Sequence, residues 1–205
     1  SIMVRKKDIN AIGAISSFST DGHRDGAGGS NLVNVLGIKK VFSNGFSISL
    51  RNKIMRLEGG DPGTASHPFA DHWYDVLRDN ASIQGAKQFG SIAARLTTYL
   101  NQGYHTLYDG FYSKDYTTGT IIEAHTSNES VFSFIAGTAG EYVNGSVTNL
   151  ITGDSLEINP KGSGSLYGQV TYKPIERLQM VAGLRALYFT EYGFVPLYKA
   201  GVKWD

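Results

Sequence analysis

Two histidines and two aspartates lie close together in residues 66–75, which read Ser-His-Pro-Phe-Ala-Asp-His-Trp-Tyr-Asp. On a helix, His67 would share a face with Asp71 and His72, and Asp75 would follow His72 by about one turn. Such spacing can bind Zn²⁺ or form a His–Asp pair that activates a nucleophile. One hypothesis is therefore a hydrolase with these four residues in an active site at the rim of the fold.

Pro68 supports a structural interpretation of the same segment. Proline is favoured in the first turn of a helix, Ser66 or His67 before it can act as the N-cap, and Asp71 suits the first turn. We favour this interpretation, a short surface helix within a long connection over residues 58–87. It assigns no catalytic role and no metal site, so the sequence favours a protein that is not an enzyme.

The other candidate motifs do not indicate a cofactor. The run Gly26-Ala27-Gly28-Gly29 lacks the Lys-Ser/Thr of a phosphate-binding loop and opens no helical pattern. The chain has no cysteine, which excludes disulfides and cysteine-ligated zinc. A formal net charge of +1 provides no basic field for nucleic acid. We therefore expect no cofactor and no nucleic-acid partner.

The composition favours strands as the elements that position these residues. The 205 residues include 25 Gly, 12 Tyr and 10 Phe but only 5 Pro, which suits strands and turns in a single domain over residues 1–205. No apolar run is long enough for a transmembrane helix, which needs about 18 residues. The mean hydropathy of −0.19 is compatible with a membrane barrel, because only every second residue of a barrel strand faces lipid.

Turn signals divide the chain into ten segments. Tight turns are predicted at Ser43-Asn44-Gly45, Asn101-Gln102-Gly103, Asn144-Gly145 and Pro174-Ile175-Glu176. Longer polar connections are predicted over residues 20–30, 58–87, 114–129, 153–164 and 190–193. Short and long connections alternate, and the segment number is even, which is typical of bacterial outer-membrane barrels.

The last segments alternate most clearly between apolar and polar residues. Every second residue of 178–188 reads Leu, Met, Ala, Leu, Ala, Tyr, and every second residue of 194–204 reads Phe, Pro, Tyr, Ala, Val, Trp. The intervening positions include Gln179, Gly183, Arg185, Lys199, Gly201 and Lys203. Apolar faces six positions long that end in aromatic residues favour contact with lipid over the core of a soluble sandwich.

The C-terminal residues 198–205, Tyr-Lys-Ala-Gly-Val-Lys-Trp-Asp, resemble the terminal targeting signal of outer-membrane barrels, with a polar residue, a glycine and an aromatic at matching positions. Tyr198, Gly201 and Trp204 are the candidate targeting residues, although the final aromatic is absent. The resemblance implies a closed antiparallel up-and-down barrel of about ten strands in the bacterial outer membrane. Its turns would be periplasmic and its longer loops extracellular. Implied partners are outer-membrane lipid, the barrel-assembly machinery and another membrane or periplasmic protein.

A barrel of this size would have a narrow interior. The predicted lumen-lining residues are Arg51, Lys53, Arg95, His105, Asp109, Gln169, Lys173, Arg185, Lys199 and Lys203, with Asp109 and Glu141 as acidic partners. These side chains would either fill the lumen as a salt-bridge network or form a narrow, anion-preferring path. The predicted function is a surface or anchoring protein or a small-solute channel.

A soluble, self-assembling viral or phage structural protein is an alternative from another class. Such capsid or tail components are also rich in Gly and Tyr, free of cysteine, built from hairpins and close to neutral. A start at Ser1-Ile2-Met3 would suit a cytosolic protein of this kind.

Overall fold

The computed structural model describes residues 1–69, 71–126 and 131–204, and every regular element within them is a β-strand. Their bounds are β1 Ile2–Lys6, β2 Ile9–Thr20, β3 Gly29–Val41, β4 Ser47–Gly60, β5 Gly63–Thr64, β6 His67–Pro68, β7 Trp73–Phe89, β8 Ile92–Leu107, β9 Phe111–Thr126, β10 Phe132–Asn149, β11 Ser155–Ile175, β12 Leu178–Phe189 and β13 Gly193–Trp204. These residues contain no helix of a length and hydropathy that would cross a membrane.

Eleven of the strands form one antiparallel sheet in the order β1-β2-β3-β4-β7-β8-β9-β10-β11-β12-β13, and β5 pairs with β6 in a separate small hairpin. In the described part of the chain no ladder joins β1 to β13, so these two strands are the edges of an open sheet. The prediction of an all-β antiparallel meander is confirmed. The predicted closure and the count of about ten strands are wrong.

Two predicted turns lie inside strands, which removes two of the ten predicted segments. Asn101-Gln102-Gly103 belongs to β8, and Asn144-Gly145 belongs to β10, where the register with β11 shifts between Val143 and Gly145. Neither glycine has a positive φ, whereas Gly45 (78°) and Gly90 (58°) in the actual turns do. Gly103 and Gly145 are therefore not turn residues. They are glycines because neighbouring groups approach their backbone closely, which a side chain would prevent.

Three strands also lie where the sequence did not predict them. β7 and β9 fall mostly within the predicted connections 58–87 and 114–129, and β1 was assigned no place. Parts of β7 and β9 are polar on both faces, so the alternation that marks a half-buried strand is absent there. The predicted connection 153–164 is likewise mostly the first half of β11.

The two longest connections, 21–28 and 61–72, lie at the same end of the sheet, which we call the loop end. The connections 108–110, 150–154 and 190–192 are at this end too, and 7–8, 42–46, 90–91 and 176–177 are at the opposite, turn end. Most of the connection between β9 and β10 lies outside the described residues. Arg24 donates a hydrogen bond of 2.6 Å to the carbonyl oxygen of Gly63, so the two long connections contact each other.

The register separates an apolar face from a polar face. We define the apolar face by residues that are aligned through successive ladders and their same-face neighbours: Ile38, Leu50, Ile83, Leu96, Ile122, Phe134, Leu166, Leu184 and Val202. Leu166, Leu184 and Val202 are 67%, 60% and 71% exposed, and no hydrophobic residue among those described is buried. Apolar side chains thus point away from the protein along this face.

Two rows of aromatic residues bound the apolar face. The row towards the turn end contains Phe89, Phe132, Tyr172 and Trp204, and the row towards the loop end contains Tyr116, Tyr142, Tyr188 and Phe194. Phe132 is ten residues from Tyr142, and Phe194 is ten residues from Trp204. At about 3.3 Å per residue and a tilt of about 45°, this spacing gives a band about 25 Å tall.

Candidate functional site

The polar face is the side of the sheet opposite the apolar face, and its side chains make contacts that cross whole strands. We define it by the aligned residues Arg51, Arg78, Arg95, Tyr99, Asp115, Glu123, Glu141, Tyr167 and Arg185. Three of its contacts join residues on strands that are not neighbours. In each case a glycine occupies the strand between them.

The first contact joins β8 to β10. The hydroxyl of Tyr99 donates a hydrogen bond of 2.6 Å to a carboxylate oxygen of Glu141. Gly119 of β9 is paired with both residues, so the tyrosine ring passes over it. A Cβ added to Gly119 would collide with the Tyr99 ring. The absence of a side chain at Gly119 is thus what permits this hydrogen bond.

The second contact joins β7 to β9. Arg78 Nη1 lies 2.7 Å from Asp115 Oδ2, and Gly103 of β8 is paired with both residues. A Cβ at Gly103 would collide with the guanidinium group of Arg78. Both charged side chains are more than 40% exposed. This pair is therefore accessible to water, and an exposed pair adds only about 0–1 kcal/mol to stability.

The third contact is part of a row that crosses five strands. Arg95 Nη2 lies 2.5 Å from Glu123 Oε1, and the hydroxyl of Tyr167 donates a 3.0 Å hydrogen bond to Glu123 Oε2 across Gly137. The guanidinium carbon of Arg185 lies 5.6 Å from the centre of the Tyr167 ring. The row thus alternates cation, carboxylate, phenol and cation from β8 to β12.

Glu123 is the most enclosed carboxylate of the row, with a side chain that is 11% exposed. Its two oxygens are each occupied by a different partner, which is what a buried carboxylate requires. His125 Nδ1 lies 3.9 Å from Glu123 Oε1, too far for a hydrogen bond. Glu123 is therefore held by an arginine and a tyrosine that come from different strands.

Arg51 and Lys53 are cations of the polar face without a carboxylate partner in the part of the chain that the structure describes. Arg51 and Lys53 lie two residues apart on β4, and no ion pair joins either to an acidic residue. Both line an open depression of about 590 Å³. Further polar lining residues are Asn80, Ser82, Tyr99 and Asn101. This depression combines positive charge with hydrogen-bonding groups.

The structure places most of the predicted lumen residues on the polar face. The residues at polar-face positions are Arg51, Lys53, Arg95, His105, Gln169, Arg185, Lys199 and Lys203. Lys173 lies at the turn end, where the register of β11 with β12 shifts. Asp109 was expected as an acidic partner there, but it lies in the turn 108–110 and accepts a 3.0 Å hydrogen bond from the backbone N–H of Phe111.

Sequence reasoning missed three of the charged residues that bond across the polar face. Arg78 falls in the predicted connection 58–87, and Asp115 and Glu123 fall in the predicted connection 114–129. Glu141 was predicted as an acidic partner and does lie on the polar face, bonded to Tyr99. The glycine between each pair was the available signal, but glycine in a sequence equally predicts a turn.

The four candidate catalytic residues do not lie on one helix. His67 lies in β6 and Asp75 in β7, so the helical spacing that would bring them together is absent and the predicted helix is wrong. The His72 ring lies between Phe69 (3.9 Å) and Tyr108 (3.6 Å). Asp71 is exposed. No cluster of three potential metal-ligating residues occurs among the residues described.

Asp75 instead belongs to a charged group on the apolar-face side, near the loop end. Its carboxylate accepts two hydrogen bonds from Arg56, of 3.2 and 2.8 Å, and Arg56 Nη2 also lies 2.6 Å from Glu58 Oε1. These three residues lie beyond the aliphatic residue Ile54 in the direction of the loop end. They therefore lie outside the apolar band, on its loop-end side.

The candidate targeting residues all lie on the edge strand β13. Tyr198 and Trp204 are on the apolar face and are 88% and 67% exposed. Gly201 is on the polar face and has no neighbouring atom within 4 Å of an added Cβ. The proposed signal is therefore carried by an open edge.

No model of a known protein family matches the chain, and no curated protein matches it in sequence. Solved structures do match. The structure of the RagAB peptide importer in the closed-closed state has a TM-score of 0.72 and 9% identity, and the match covers 97% of this chain and 32% of that one. The copper transporter OprC has a TM-score of 0.64 and 12% identity, with 98% and 37% covered.

A third similar structure is the ferric yersiniabactin uptake receptor FyuA from Yersinia pestis, with a TM-score of 0.60, 9% identity, and 97% of this chain and 39% of that chain covered. This chain therefore spans about a third of the length of the proteins that it matches. At such identities the likeness shows the fold alone. The fold is an antiparallel β-sheet of the kind found in these transport proteins, in agreement with the class-level resemblance to outer-membrane β-barrels.

Proposed function

We propose that this chain forms part of the wall of a bacterial outer-membrane β-barrel that passes solutes. In this proposal the apolar face contacts lipid and the polar face lines a water-filled lumen. The three similar structures are an importer, a transporter and an uptake receptor. Outer-membrane lipid and the barrel-assembly machinery are the partners that this function requires.

The exposed apolar face is the observation that carries the proposal. A sheet whose aliphatic residues are exposed between two aromatic rows, with ion pairs on its other side, has the pattern of a membrane barrel wall. A soluble protein of this size would bury its apolar residues in a core. None of the described hydrophobic residues is buried, which argues against the soluble capsid or tail component.

Membrane fractionation tests the location. Bacteria that express the chain behind an export signal are lysed, and the membranes are washed with alkaline carbonate. We expect the protein in the washed outer-membrane fraction, with a folded form that migrates differently from the heated form in a gel. Recovery in the soluble fraction, or as particles without detergent, would contradict the proposal and favour the structural-protein alternative.

The solute path is proposed to prefer anions near β4. Arg51 and Lys53 line the depression of about 590 Å³ without a carboxylate partner, and rings of Arg and Lys select anions. The lumen would not be the narrow channel expected for a closed ten-strand barrel, because no ladder joins β1 to β13 among the described residues. Its width depends on what completes the wall.

Ion selectivity tests this part of the proposal. The protein extracted from membranes is reconstituted in planar bilayers, and the reversal potential is measured under a KCl gradient. We expect the double variant Arg51→Glu, Lys53→Glu to shift selectivity towards cations. The matched control Lys6→Glu, Lys7→Glu changes the net charge by the same amount at the turn end, away from the polar face. Equal reversal potentials for the wild type and the Arg51/Lys53 variant would contradict the anion preference, and an absence of conductance would favour the surface or anchoring role.

A further inference from the structure

The two edges of the sheet present a pairing surface. We propose that β1 and β13 pair with a second antiparallel β-sheet, of different sequence from this chain and with an odd number of strands. The inference rests on the proposed membrane location. The directions of β1 and β13 determine which kind of sheet can complete the wall.

Strand direction excludes antiparallel closure of this sheet on itself. Each consecutive pair of the eleven strands is antiparallel, so strands at odd places in the sheet run the same way. β1 and β13 occupy the first and eleventh places, and both run from the loop end to the turn end. Pairing them directly would create one parallel ladder. Bacterial single-chain membrane barrels avoid this by having an even number of strands.

A second copy of the chain meets the same obstacle. If two copies enter the membrane in the same orientation, β13 of one copy meets β1 of the other, and both seams are parallel. Antiparallel seams between two copies would need β13 to meet β13, which requires the copies to be inserted in opposite directions. A sheet of odd strand number whose outer strands both run from the turn end to the loop end satisfies both edges.

The edge strand β13 is suited to pairing within a membrane. β13 is twelve residues long, and its apolar-face residues Tyr198, Val202 and Trp204 are all exposed. Pro196 lacks a backbone N–H, but residues 197–204, towards the turn end, still provide an uninterrupted stretch of backbone N–H and C=O groups. Lipid offers no hydrogen bonds to an open strand edge, so these backbone groups need a partner strand.

The similar structures leave room for such a partner. Each matches nearly the whole of this chain with only 32–39% of its own length. The polar and apolar faces of this sheet extend up to both edges, with Val4 on the apolar face of β1 and Val202 on that of β13. A partner sheet with the same two-faced pattern would continue both surfaces without interruption.

Site-specific photocrosslinking tests the inference in purified outer membranes, after a chase that removes assembly intermediates. p-Benzoyl-phenylalanine replaces Tyr198 or Val202 on β13, or Tyr188 on β12 as the matched control with partners on both sides. We expect Tyr198 and Val202 to crosslink to a peptide outside residues 1–205. The residue captured from Val202 should precede the one captured from Tyr198, because antiparallel strands run in opposite directions. Tyr188 should give no such product.

Three results would overturn the inference and leave the membrane location intact. They are capture of β1 or β2 of the same chain, capture of a second copy (identified with two differently tagged chains), and a captured order that rises from Tyr198 to Val202. An absence of edge crosslinks in protein that fractionates with the outer membrane also counts against it. Loss of the protein from the membrane fraction would instead contradict the proposed function.

Discussion

Glycines on the polar face act as gaps through which long side chains cross a strand. Gly103, Gly119 and Gly137 each lie between two residues that bond over them. Alternate strands are about 9–10 Å apart, so a side chain that bonds from one to the other must pass over the strand between them. A side chain on the intervening residue would block that path. The identity of these glycines is therefore set by the contacts of their neighbours.

Substitution of Gly137 tests this role. A Cβ at Gly137 would lie 2.6 Å from the Tyr167 hydroxyl oxygen and 2.6 Å from the carbonyl oxygen of Ile122. We expect Gly137→Ala to lower the free energy of unfolding in detergent or lipid by about 1–3 kcal/mol, as for other overpacked sites. Gly168→Ala is the matched control, because no atom lies within 4 Å of its added Cβ. Equal unfolding midpoints in a urea titration would show that the crossing is unimportant.

Single replacements of Arg95 and of Arg78 should lower the free energy of unfolding by unequal amounts. Arg95 pairs with Glu123, whose side chain is 11% exposed, and Arg78 pairs with Asp115, whose side chain is 42% exposed. Arg95→Met leaves an enclosed carboxylate without its cation and should cost about 1–3 kcal/mol, whereas Arg78→Met should cost about 0–1 kcal/mol. Urea unfolding of both variants measures the difference. A larger loss from Arg78→Met would contradict the importance of the buried carboxylate.

At the scale of the strand, the apolar band occupies only part of each element. β10 and β11 contain 18 and 21 residues, whereas a membrane strand needs about 9–11. The remaining parts lie towards the loop end, and in β11 they include Glu157, Asn159 and Lys161. The sheet therefore extends beyond the apolar band at its loop end, and this is why several strand halves looked like loops in the sequence.

The two faces of β12 should respond differently to a new charge. Leu184 lies on the apolar face and Leu187 on the polar face of the same strand. We expect Leu184→Arg to reduce stability in lipid by about 2–4 kcal/mol, the cost of an arginine near the bilayer midplane. Leu187→Arg should cost much less because its side chain reaches water. Folding titrations in lipid vesicles measure both, and similar losses would show that the faces are assigned wrongly.

At the scale of the molecule, the connections are unequal at the two ends of the sheet. The long connections 21–28 and 61–72 lie together at the loop end and are joined by the Arg24–Gly63 hydrogen bond. The ring of His72 contacts Phe69 and Tyr108, which ties the second connection to the turn after β8. These contacts join three connections at the loop end, which the proposed orientation places outside the cell.

Surface labelling of intact cells tests this orientation. An epitope tag inserted after Ser66 in the connection 61–72 should bind antibody on intact cells, because the loop end would face outward. A tag inserted between Glu176 and Arg177, in the turn after β11, should bind only after the outer membrane is permeabilised. The reverse pattern would invert the orientation, and labelling of both tags would contradict a membrane-spanning sheet.

The sequence by itself determined the strand class, the absence of cysteine chemistry and the alternating C-terminal strands. In β12 and β13 every second residue is apolar over the whole length, so a period of two was visible without any tertiary contact. The same alternation placed Arg185 and Lys199 on the face opposite the apolar residues, where the register confirms them. The local pattern is sufficient to predict a strand wherever one of its faces is apolar along the whole length.

Only the tertiary structure decided the strand count, the open edges and the network around Glu123. Glycine serves tight turns and close packing equally well, so the sequence could not distinguish Gly90 in a turn from Gly103 in a strand. The partners Arg95 and Tyr167 are 28 and 44 residues from Glu123 and meet it only through the register of four strands. Register is a property of the assembled sheet, because it depends on how many residues each connection uses.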